Sequence, residues 1–221
     1  MSPAVPCRPV HRHPSHASNP PKKMIRKTPI LIVALLCFAA ADLARAQDLH
    51  PSRRPSPIGI ARTHIGDTYV KVTYGRPYVR DRQVFGTNTD STEFLTPYNE
   101  IWRTGANEAT EITTTGPLSI AGNTLDTGTY SIFTEPGPTE WIIHFSPHLG
   151  LDGTGIFNAE TQIFTEVYDP DQDILVITVP SGMLEEAVDQ LTMVFEAVDG
   201  GAHLVLTWEK TEVRIPIREA P

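Results

Sequence analysis

The stretch that decides the fold is residues 128–146, GTYSIFTEPGPTEWIIHFS. Apolar side chains recur at every second position on both sides of its Pro-Gly-Pro run, at Tyr130 and Ile132 before the run and at Trp141 and Ile143 after it. A period of two residues is typical of β-strands with one buried face, and a Pro-Gly-Pro run predicts a turn. We therefore expect two strands joined by a turn.

The same alternation recurs along most of the chain after residue 57. It predicts about nine or ten short strands at the spacing of roughly 8–12 residues that is typical of sandwiches and barrels. Two segments differ, because residues 183–190 have the apolar spacing of a short helix and residues 97–101 fit a single turn. The expected fold is all-β, an antiparallel β-sandwich of about nine or ten short strands with at most one or two short helices.

Residues 24–46 have the order of regions that defines a secretory signal peptide. Arg26 and Lys27 supply positive charge, an apolar run extends from Ile30 to Ala41, and Ala44-Arg45-Ala46 provides a cleavage site. The run is shorter than the roughly 20 residues that span a bilayer, so no stable membrane span is expected after cleavage. We expect cleavage near Ala46-Gln47 and export to the periplasm or the cell exterior, with an uncleaved anchor as the alternative.

The remaining boundaries follow from composition. Residues 1–23 lack periodicity and precede Met24, which lies inside the basic region, so we interpret them as an extension of the gene model. Together with the signal peptide they make a leader of residues 1–46. Residues 47–57 are rich in Pro, Arg and Ser and are expected to form an extended arm. Residues 58–217 are expected to form a single β-sandwich domain.

Charge and cysteine content exclude several classes of protein. The chain has 18 Lys and Arg against 26 Asp and Glu, a net charge of −8. Seven of the basic residues precede Gln47, but Asp42 is the only acidic residue that does. The mature chain therefore has 11 basic and 25 acidic residues, a net charge of −14. Nucleic-acid binding needs a basic face, so we expect none. Cys7 and Cys37 also precede Gln47, so the mature chain has no disulfide and no cysteine nucleophile.

One segment, PYNEIWRTGANEAT at residues 97–110, lacks the alternation of a strand. Arg103 is suited to holding a carboxylate or phosphate, and Trp102 to stacking on a sugar ring or on Arg103 itself. Asn107 is suited to a hydrogen bond with a ligand or with its own loop. The alternative is an irregular loop that Trp102 pins to the core, with Arg103 paired to a buried acid. The candidate binding residues of this segment are Tyr98, Trp102, Arg103, Asn107 and Glu108.

A second cluster, YGRPYVRDRQVFG at residues 74–86, concentrates basic side chains in an acidic protein. Arg76, Arg80 and Arg82 fall within seven residues of one another and form a cationic region that attracts anions. Arg76 and Arg82 are the candidate binding residues here. Pairing with nearby acidic side chains is the alternative.

Longer motifs connect these segments with a known family. They are Tyr74-x-Arg-Pro, Arg82-x-Val-Phe-Gly and Trp102-Arg-Thr-Gly-Ala-Asn-Glu-Ala-Thr, followed by Gly128-Thr-Tyr-Ser-Ile-Phe-Thr-x-Pro and Leu206-x-Trp-Glu-Lys-Thr. With them the chain resembles, from about Arg53 to Ile217, the family catalogued as domain of unknown function 2911. The resemblance implies an exported bacterial protein and transfers no catalytic residue, because the family's activity is unassigned. Residues 87–93 and 150–162 depart from the family's spacing and are predicted to be surface insertions without a site.

Metal and nucleophile motifs are incomplete. Asp169-x-Asp171-x-Asp173 matches the start of a calcium loop, but Ile174 and Pro180 stand where that loop needs Gly and Glu, so we expect an acidic turn, with a looser calcium site as the alternative. His144 and His148 are four apart on a predicted strand, a spacing that aligns ligands only on a helix. The sequence has no Gly-x-Ser-x-Gly nucleophile motif. We expect no metal and no cofactor.

These observations favour a non-enzymatic binding module. The irregular Trp102–Glu108 loop on a β-sandwich suits a small molecule, a glycan or a protein partner. An alternative is a hydrolase-type enzyme with Glu100 or Glu108 as general acid/base beside Arg103, which needs a carboxyl group of raised pKa in a concave pocket. A purely structural envelope protein is the third interpretation.

Overall fold

The structure is a computed structural model that describes residues 54–221. The predicted leader, residues 1–46, and the first part of the predicted arm, residues 47–53, lie outside the described residues. The described part contains thirteen β-strands and one 3-10 helix at Pro170–Gln172. The strands are β1 Ile58–Ile65, β2 Thr68–Gly75, β3 Phe85–Gly86, β4 Thr96–Pro97, β5 Thr110–Thr114, β6 Leu118–Ile120, β7 Asn123–Leu125, β8 Gly128–Glu135, β9 Glu140–Ser146, β10 Gly155–Asn158, β11 Ile163–Glu166, β12 Leu175–Val198 and β13 Gly201–Glu219.

Nine strands form one sheet in the order β1-β2-β5-β8-β9-β12-β13-β6-β7, in which every neighbouring pair is antiparallel. Two small sheets, β10 with β11 and β3 with β4, lie outside it. The large sheet surrounds one core, because buried side chains from all nine strands belong to a single apolar cluster. β1 lies close to β12 and β13, which are not its neighbours in the sheet, as in a two-layered arrangement. The predicted all-β fold is confirmed.

The stretch that carries the alternation forms β8 and β9. These strands pair antiparallel, with Ile132 opposite Phe145 and Thr134 opposite Ile143, so the predicted hairpin is confirmed. Ile132, Ile143 and Phe145 are each 1% exposed and lie in the main core. Phe133 points to the opposite face, where it is buried in a second, smaller cluster. The centre of the hairpin is therefore buried on both faces.

The predicted helix at residues 183–190 is wrong. These residues belong to β12, the longest strand, which pairs with β9 over Leu175–Pro180 and with β13 over Ser181–Val198. The helical spacing is that of Leu184, Ala187, Val188 and, just after the segment, Leu191. Of these only Leu191 is buried, and Met183 at the start of the segment is 87% exposed. Pairing across the sheet therefore overrides the local apolar spacing. Within residues 54–221, no helix is both long enough and apolar enough to cross a membrane.

The number and length of the strands also differ from the prediction of about nine or ten short ones. β12 and β13 have 24 and 19 residues, because each unites alternating segments that the sequence separates by polar residues. The pairing of β12 with β13 shifts register between Met183 and Val188 and again between Val188 and Thr192, so bulges carry both strands past these interruptions. Short strands of two to four residues account for the remaining difference.

Candidate functional site

Trp102 ties the irregular loop to the sheet. Its backbone N–H donates to the Thr134 carbonyl oxygen, and the Thr134 N–H donates back to the Trp102 carbonyl oxygen, both at 2.8 Å. The indole Nε1 donates to the Gly105 carbonyl oxygen at 3.1 Å, which closes the loop on itself. The ring stacks on Trp208, with the two ring centroids 5.7 Å apart. Trp102 therefore anchors the loop in the core, and one face of its ring is covered by Trp208.

Two loops, residues 76–83 and 98–109, hold non-glycine residues in the left-handed region of backbone conformation. Arg80 and Asp81 have φ of 49° and 58°, and Thr104 and Asn107 have φ of 56° and 65°. This region is costly for a β-branched residue such as Thr104, and such strain concentrates at functional sites. The hydroxyl of Thr110 donates to the Thr104 carbonyl oxygen at 2.8 Å and holds it there. The surrounding structure thus fixes the shape of both loops.

A cleft of about 490 Å³ lies between these loops. Of residues 54–221, three arginines line it, Arg80, Arg82 and Arg103, together with Trp102, Trp208 and a single acidic residue, Glu100. Its volume is within the range of about 300–1,000 Å³ that is typical of small-molecule sites. A cleft lined by one sign of charge attracts ions of the opposite sign. The lining therefore suits an anion of small-molecule size.

Arg103 is the innermost cation of this cleft. Its Nε atom is buried and has no hydrogen-bond partner among residues 54–221. Burial lowers the pKa of the Arg103 guanidinium, and the charge of Asp152 opposes this only in part. Gly153 packs against the group, since a Cβ at this glycine would come within 3.1 Å of Arg103 Nη1. In the described part of the chain Arg103 forms no ion pair, so the expected alternative of a buried acid partner is not observed.

Arg80 and Arg82 are held by backbone carbonyl groups rather than by carboxylates. Arg82 donates from Nε to the Val79 carbonyl oxygen at 3.0 Å and from Nη2 to that of Tyr78 at 2.5 Å. Arg80 donates from Nη2 to the Pro55 carbonyl oxygen at 2.8 Å, and its guanidinium lies 5.7 Å from the centre of the Tyr78 ring. Both side chains are exposed. Their positions are thus fixed while their charges remain without an acidic partner among residues 54–221.

Of the predicted binding residues, the structure brings Arg82, Trp102 and Arg103 together in the cleft. Arg76 lies elsewhere, because its Nε donates to the Leu191 carbonyl oxygen at 3.1 Å and its Nη2 to Thr192 Oγ1 at 3.1 Å. The guanidinium of Arg76, the residue that follows β2, therefore fastens the end of this strand to β12.

Three other predicted residues are also absent from the lining. Tyr98 is half-buried, and its backbone N–H donates to the Gly86 carbonyl oxygen at 2.7 Å. Asn107 donates from Nδ2 to the Ser56 carbonyl oxygen at 3.1 Å, and Glu108 accepts from Arg54. Asn107 and Glu108 thus bind the segment that enters the domain, at the edge of the cleft.

Glu108 does not have the electrostatics of a general acid. Arg54 Nη1 lies 2.6 Å from Glu108 Oε1 and 2.5 Å from Oε2. The hydrogen bond from Arg54 lowers the pKa of Glu108, whereas a general acid needs a raised pKa. Of the two acids of the hydrolase hypothesis, only Glu100 lies in the cleft.

Sequence reasoning missed several contributors to the cleft, and the prediction that residues 150–162 hold no site conflicts with Gly153 and Thr154, which line it. Arg80 lies in sequence between the two candidate arginines, Arg76 and Arg82. Nothing in its spacing from them indicated that a turn places it in the cleft. Pro55 and Ser56 also line the cleft, although their composition indicated only an extended arm. No local signal predicts that this arm returns to the loop, because its contacts with Asn107 and Glu108 span more than 50 residues.

A separate buried polar cluster surrounds His144. The ring Nδ1 lies 2.8 Å from Asp173 Oδ2 and Nε2 lies 3.1 Å from Glu135 Oε1, while the Tyr168 hydroxyl donates to Asp173 Oδ2 at 2.8 Å. Asp169 instead accepts from the Asp171 N–H at 3.1 Å and from Gln172 Nε2 at 2.8 Å. The carboxylates of Asp173 and Asp169 therefore serve different structural contacts, and Asp171 contributes its backbone N–H. Among residues 54–221, no group of three or more His, Cys, Asp or Glu side chains is arranged to hold a metal ion.

Comparison with known proteins places the chain in a family without assigning an activity. No curated protein and no solved structure matches it. A family model described as "Protein of unknown function (DUF2911)" matches residues 56–217, which include the described lining residues of the cleft except Pro55. The resemblance carried by the Trp102 and Arg82 motifs is confirmed, and the chain belongs to this family of unknown function.

Proposed function

We propose that the mature chain is an exported bacterial binding module that holds an anionic small molecule in the cleft lined by Arg80, Arg82 and Arg103. The observation that carries this proposal is the buried Nε of Arg103, which lacks a partner among the described residues. A buried polar group without a hydrogen bond costs roughly 1–3 kcal/mol, and more for a charged group, so such groups are rare without a purpose. An anionic ligand in the cleft would compensate the positive charge of this partly desolvated guanidinium.

Charge distribution supports the same function. The mature chain is strongly acidic, yet three cations converge on one cleft, in which Glu100 is the only acidic lining residue that the described part of the chain supplies. A local positive region in a negative surface discriminates against large polyanions and favours a small anion that enters the cleft. A guanidinium presents two parallel N–H donors that match the oxygens of a carboxylate or a phosphate. The ligand class is therefore a small carboxylate or phosphate.

Neutral glycans and catalysis receive less support. Stacking on a sugar ring needs a free aromatic face, whereas Trp208 stacks on the Trp102 ring and Phe85 and Trp141 also pack against it. Catalysis by Glu108 conflicts with its ion pair to Arg54, which leaves Glu100 as the only remaining acid of the hydrolase hypothesis. We therefore keep binding, without a reaction, as the proposed function.

Isothermal titration of the mature chain, residues 47–221, with pyrophosphate and with citrate at low ionic strength tests this proposal. We expect binding of at least one of these anions and a loss of about tenfold or more in affinity in Arg103→Ala, as for removal of a charged hydrogen bond. Arg214→Ala is the matched control, because Arg214 pairs with Glu196 and Glu212 outside the cleft. The proposal fails if no anion binds at millimolar concentration, or if both variants bind as the wild type does.

A further inference from the structure

The cleft has a wall that comes from the N-terminal end of the domain. Pro55 and Ser56 line it, within the segment Arg54–Pro57 that precedes β1 and that we name the strap. A strap of four residues has no strand partners of its own. Its position therefore depends on individual contacts with the two loops that carry the arginines.

Four contacts with residues 76–108 hold the strap. Arg54 Nη1 forms an ion pair with both carboxylate oxygens of Glu108. The Pro55 and Ser56 carbonyl oxygens accept from the side chains of Arg80, at 2.8 Å, and Asn107, at 3.1 Å. The Pro57 carbonyl oxygen accepts from the backbone N–H of Arg76 at 2.9 Å.

Most of these donors and acceptors are residues whose types suggested direct ligand binding. Asn107 and Glu108 belong to the irregular loop, and Arg80 lines the cleft itself. Both loops hold left-handed residues at these places, Arg80 and Asn107 among them. In each loop a residue with left-handed backbone, Arg80 or Asn107, donates its side chain to the strap. Because such strain concentrates at functional sites, we treat the strap as part of the cleft.

We propose that the strap sets the size of the ligand that the cleft accepts, and that Glu108 is a positioning residue, which acts through Arg54 and does not touch the ligand. This inference rests on the proposed binding of anions. With the strap in place the cleft is bounded on the side of Arg80 and fits a small anion. Release of the strap removes that boundary and the carbonyl group that orients Arg80, so small anions lose affinity relative to large ones.

The expected effect is modest, because the ion pair is partly exposed. The side chains of Arg54 and Glu108 are 21% and 47% exposed, and such pairs contribute roughly 0.2–1 kcal/mol. The other three contacts remain when this pair is broken, so its loss loosens the strap without releasing it. We therefore expect a change of about two- to fivefold in the ratio of affinities for a small and a large anion.

The test compares Glu108→Gln with Arg54→Gln, which break the same ion pair but change the charge in opposite directions. Pyrophosphate serves as the small anion and inositol hexakisphosphate as the large one, both titrated against the mature chain. We expect both variants to shift the ratio of dissociation constants toward the larger anion. Simple electrostatics predicts opposite shifts in the two variants. The control Glu196→Gln breaks an exposed ion pair with Arg214 and should leave the ratio unchanged.

A second measurement needs no ligand. Trp141 and Trp208 are 1% and 0% exposed, so quenching of tryptophan fluorescence by acrylamide reports mainly on Trp102 in the cleft. We expect stronger quenching in Glu108→Gln and in Arg54→Gln, and wild-type quenching in Glu196→Gln.

The two measurements separate failure of this inference from failure of the proposed function. If the wild type binds neither of these two anions nor citrate, the proposed function fails, and unchanged quenching in the two variants then also overturns the strap as a wall of the cleft. If the anions bind but the ratio stays unchanged or moves in opposite directions in the two variants, the size-setting role of the strap is wrong while anion binding stands.

Discussion

Trp102 and Trp208 stack with their ring planes inclined by 19° and their centroids 5.7 Å apart. Trp208 belongs to β13 and is fully buried, whereas Trp102 belongs to the loop that forms the cleft. Phe85 lies edge-on to both rings, at 6.1 Å from Trp102 and 5.7 Å from Trp208. The position of the loop relative to the sheet therefore depends on this aromatic cluster as well as on the backbone hydrogen bonds with Thr134.

The first prediction concerns this anchor. Trp102→Ala should lower the free energy of unfolding by about 3–5 kcal/mol, because it leaves a cavity against Trp208 and Phe85. Trp102→Phe keeps an aromatic ring and should lose less than half of that. Urea denaturation at equilibrium measures both values, with the exposed Leu149→Ala as a control expected to change stability by less than about 0.5 kcal/mol. Equal losses in the two Trp102 variants would contradict the anchoring role of the ring.

The second prediction concerns Gly75, the last residue of β2, over which the loop passes. A Cβ at Gly75 would overlap the backbone carbonyl group of Ala106, a lining residue of the cleft. Backbone cannot move aside as the end of a flexible side chain can. Gly75→Ala should therefore lower the free energy of unfolding by about 1–3 kcal/mol and weaken pyrophosphate binding by displacing Ala106.

Gly182→Ala provides the control for this substitution. Gly182 also lies in a strand, but the nearest atom to an added Cβ there is 3.9 Å away, at ordinary contact distance. Its effect on stability should stay within about 0.5 kcal/mol. Comparable losses at the two glycines would mean that strand preference, and not the close approach of Ala106, decides the effect.

Much of the fold could be predicted from the sequence where local signals agree. In the β8–β9 hairpin, the period of two and the Pro-Gly-Pro turn indicate the same structure, and the prediction is confirmed. In residues 183–190 the local signal conflicts with the fold, because Leu184 and Val188 have helical spacing although the segment pairs with β13. The deciding hydrogen bonds there join residues of two strands, and no local pattern records them.

Only part of the candidate site could be predicted from the sequence. Residue type sufficed to single out Arg82 and Arg103, whose charges meet in the cleft. It could not separate them from Arg76 and Glu108, whose partners are 115 and 54 residues away along the chain. A charged side chain that is satisfied by a distant part of the fold and one that is left for a ligand have the same appearance in a sequence. Only the tertiary contacts distinguish them.

The third prediction concerns export. A bacterial expression host should process the full chain between Ala46 and Gln47, because Ala44-Arg45-Ala46 has small residues at the positions that signal peptidases read. N-terminal sequencing of the periplasmic or secreted protein should begin at Gln47. Ala46→Lys should leave an unprocessed, membrane-associated precursor, whereas His50→Lys, beyond the cleavage site, should be processed normally. Recovery of the wild-type protein from the cytosol with its leader intact would refute this interpretation.

Tyr168 is linked to the acidic turn by a buried hydrogen bond. Its hydroxyl donates to Asp173 Oδ2 at 2.8 Å, and its ring centre lies 4.0 Å from that of Phe133 in the second apolar cluster. Burial, with the hydrogen bond to Asp173 as the next cause, raises the pKa of Tyr168 far above its ordinary value of 10. The phenol must therefore stay protonated for the cluster around His144 and Asp173 to persist.

The fourth prediction is a loss of stability in alkali that depends on Tyr168. A group whose pKa is higher in the folded state contributes stability that is complete below the unfolded value, near pH 10, and that declines as pH rises from there toward the folded value. Urea denaturation should therefore show a free energy of unfolding that falls above about pH 10 in the wild type and falls less steeply in Tyr168→Phe. Tyr98→Phe controls for the loss of one phenol outside this cluster. Tyrosinate absorbance should show one tyrosine fewer ionising upon unfolding in Tyr168→Phe, and ionisation of Tyr168 near pH 10 in the folded protein would contradict the prediction.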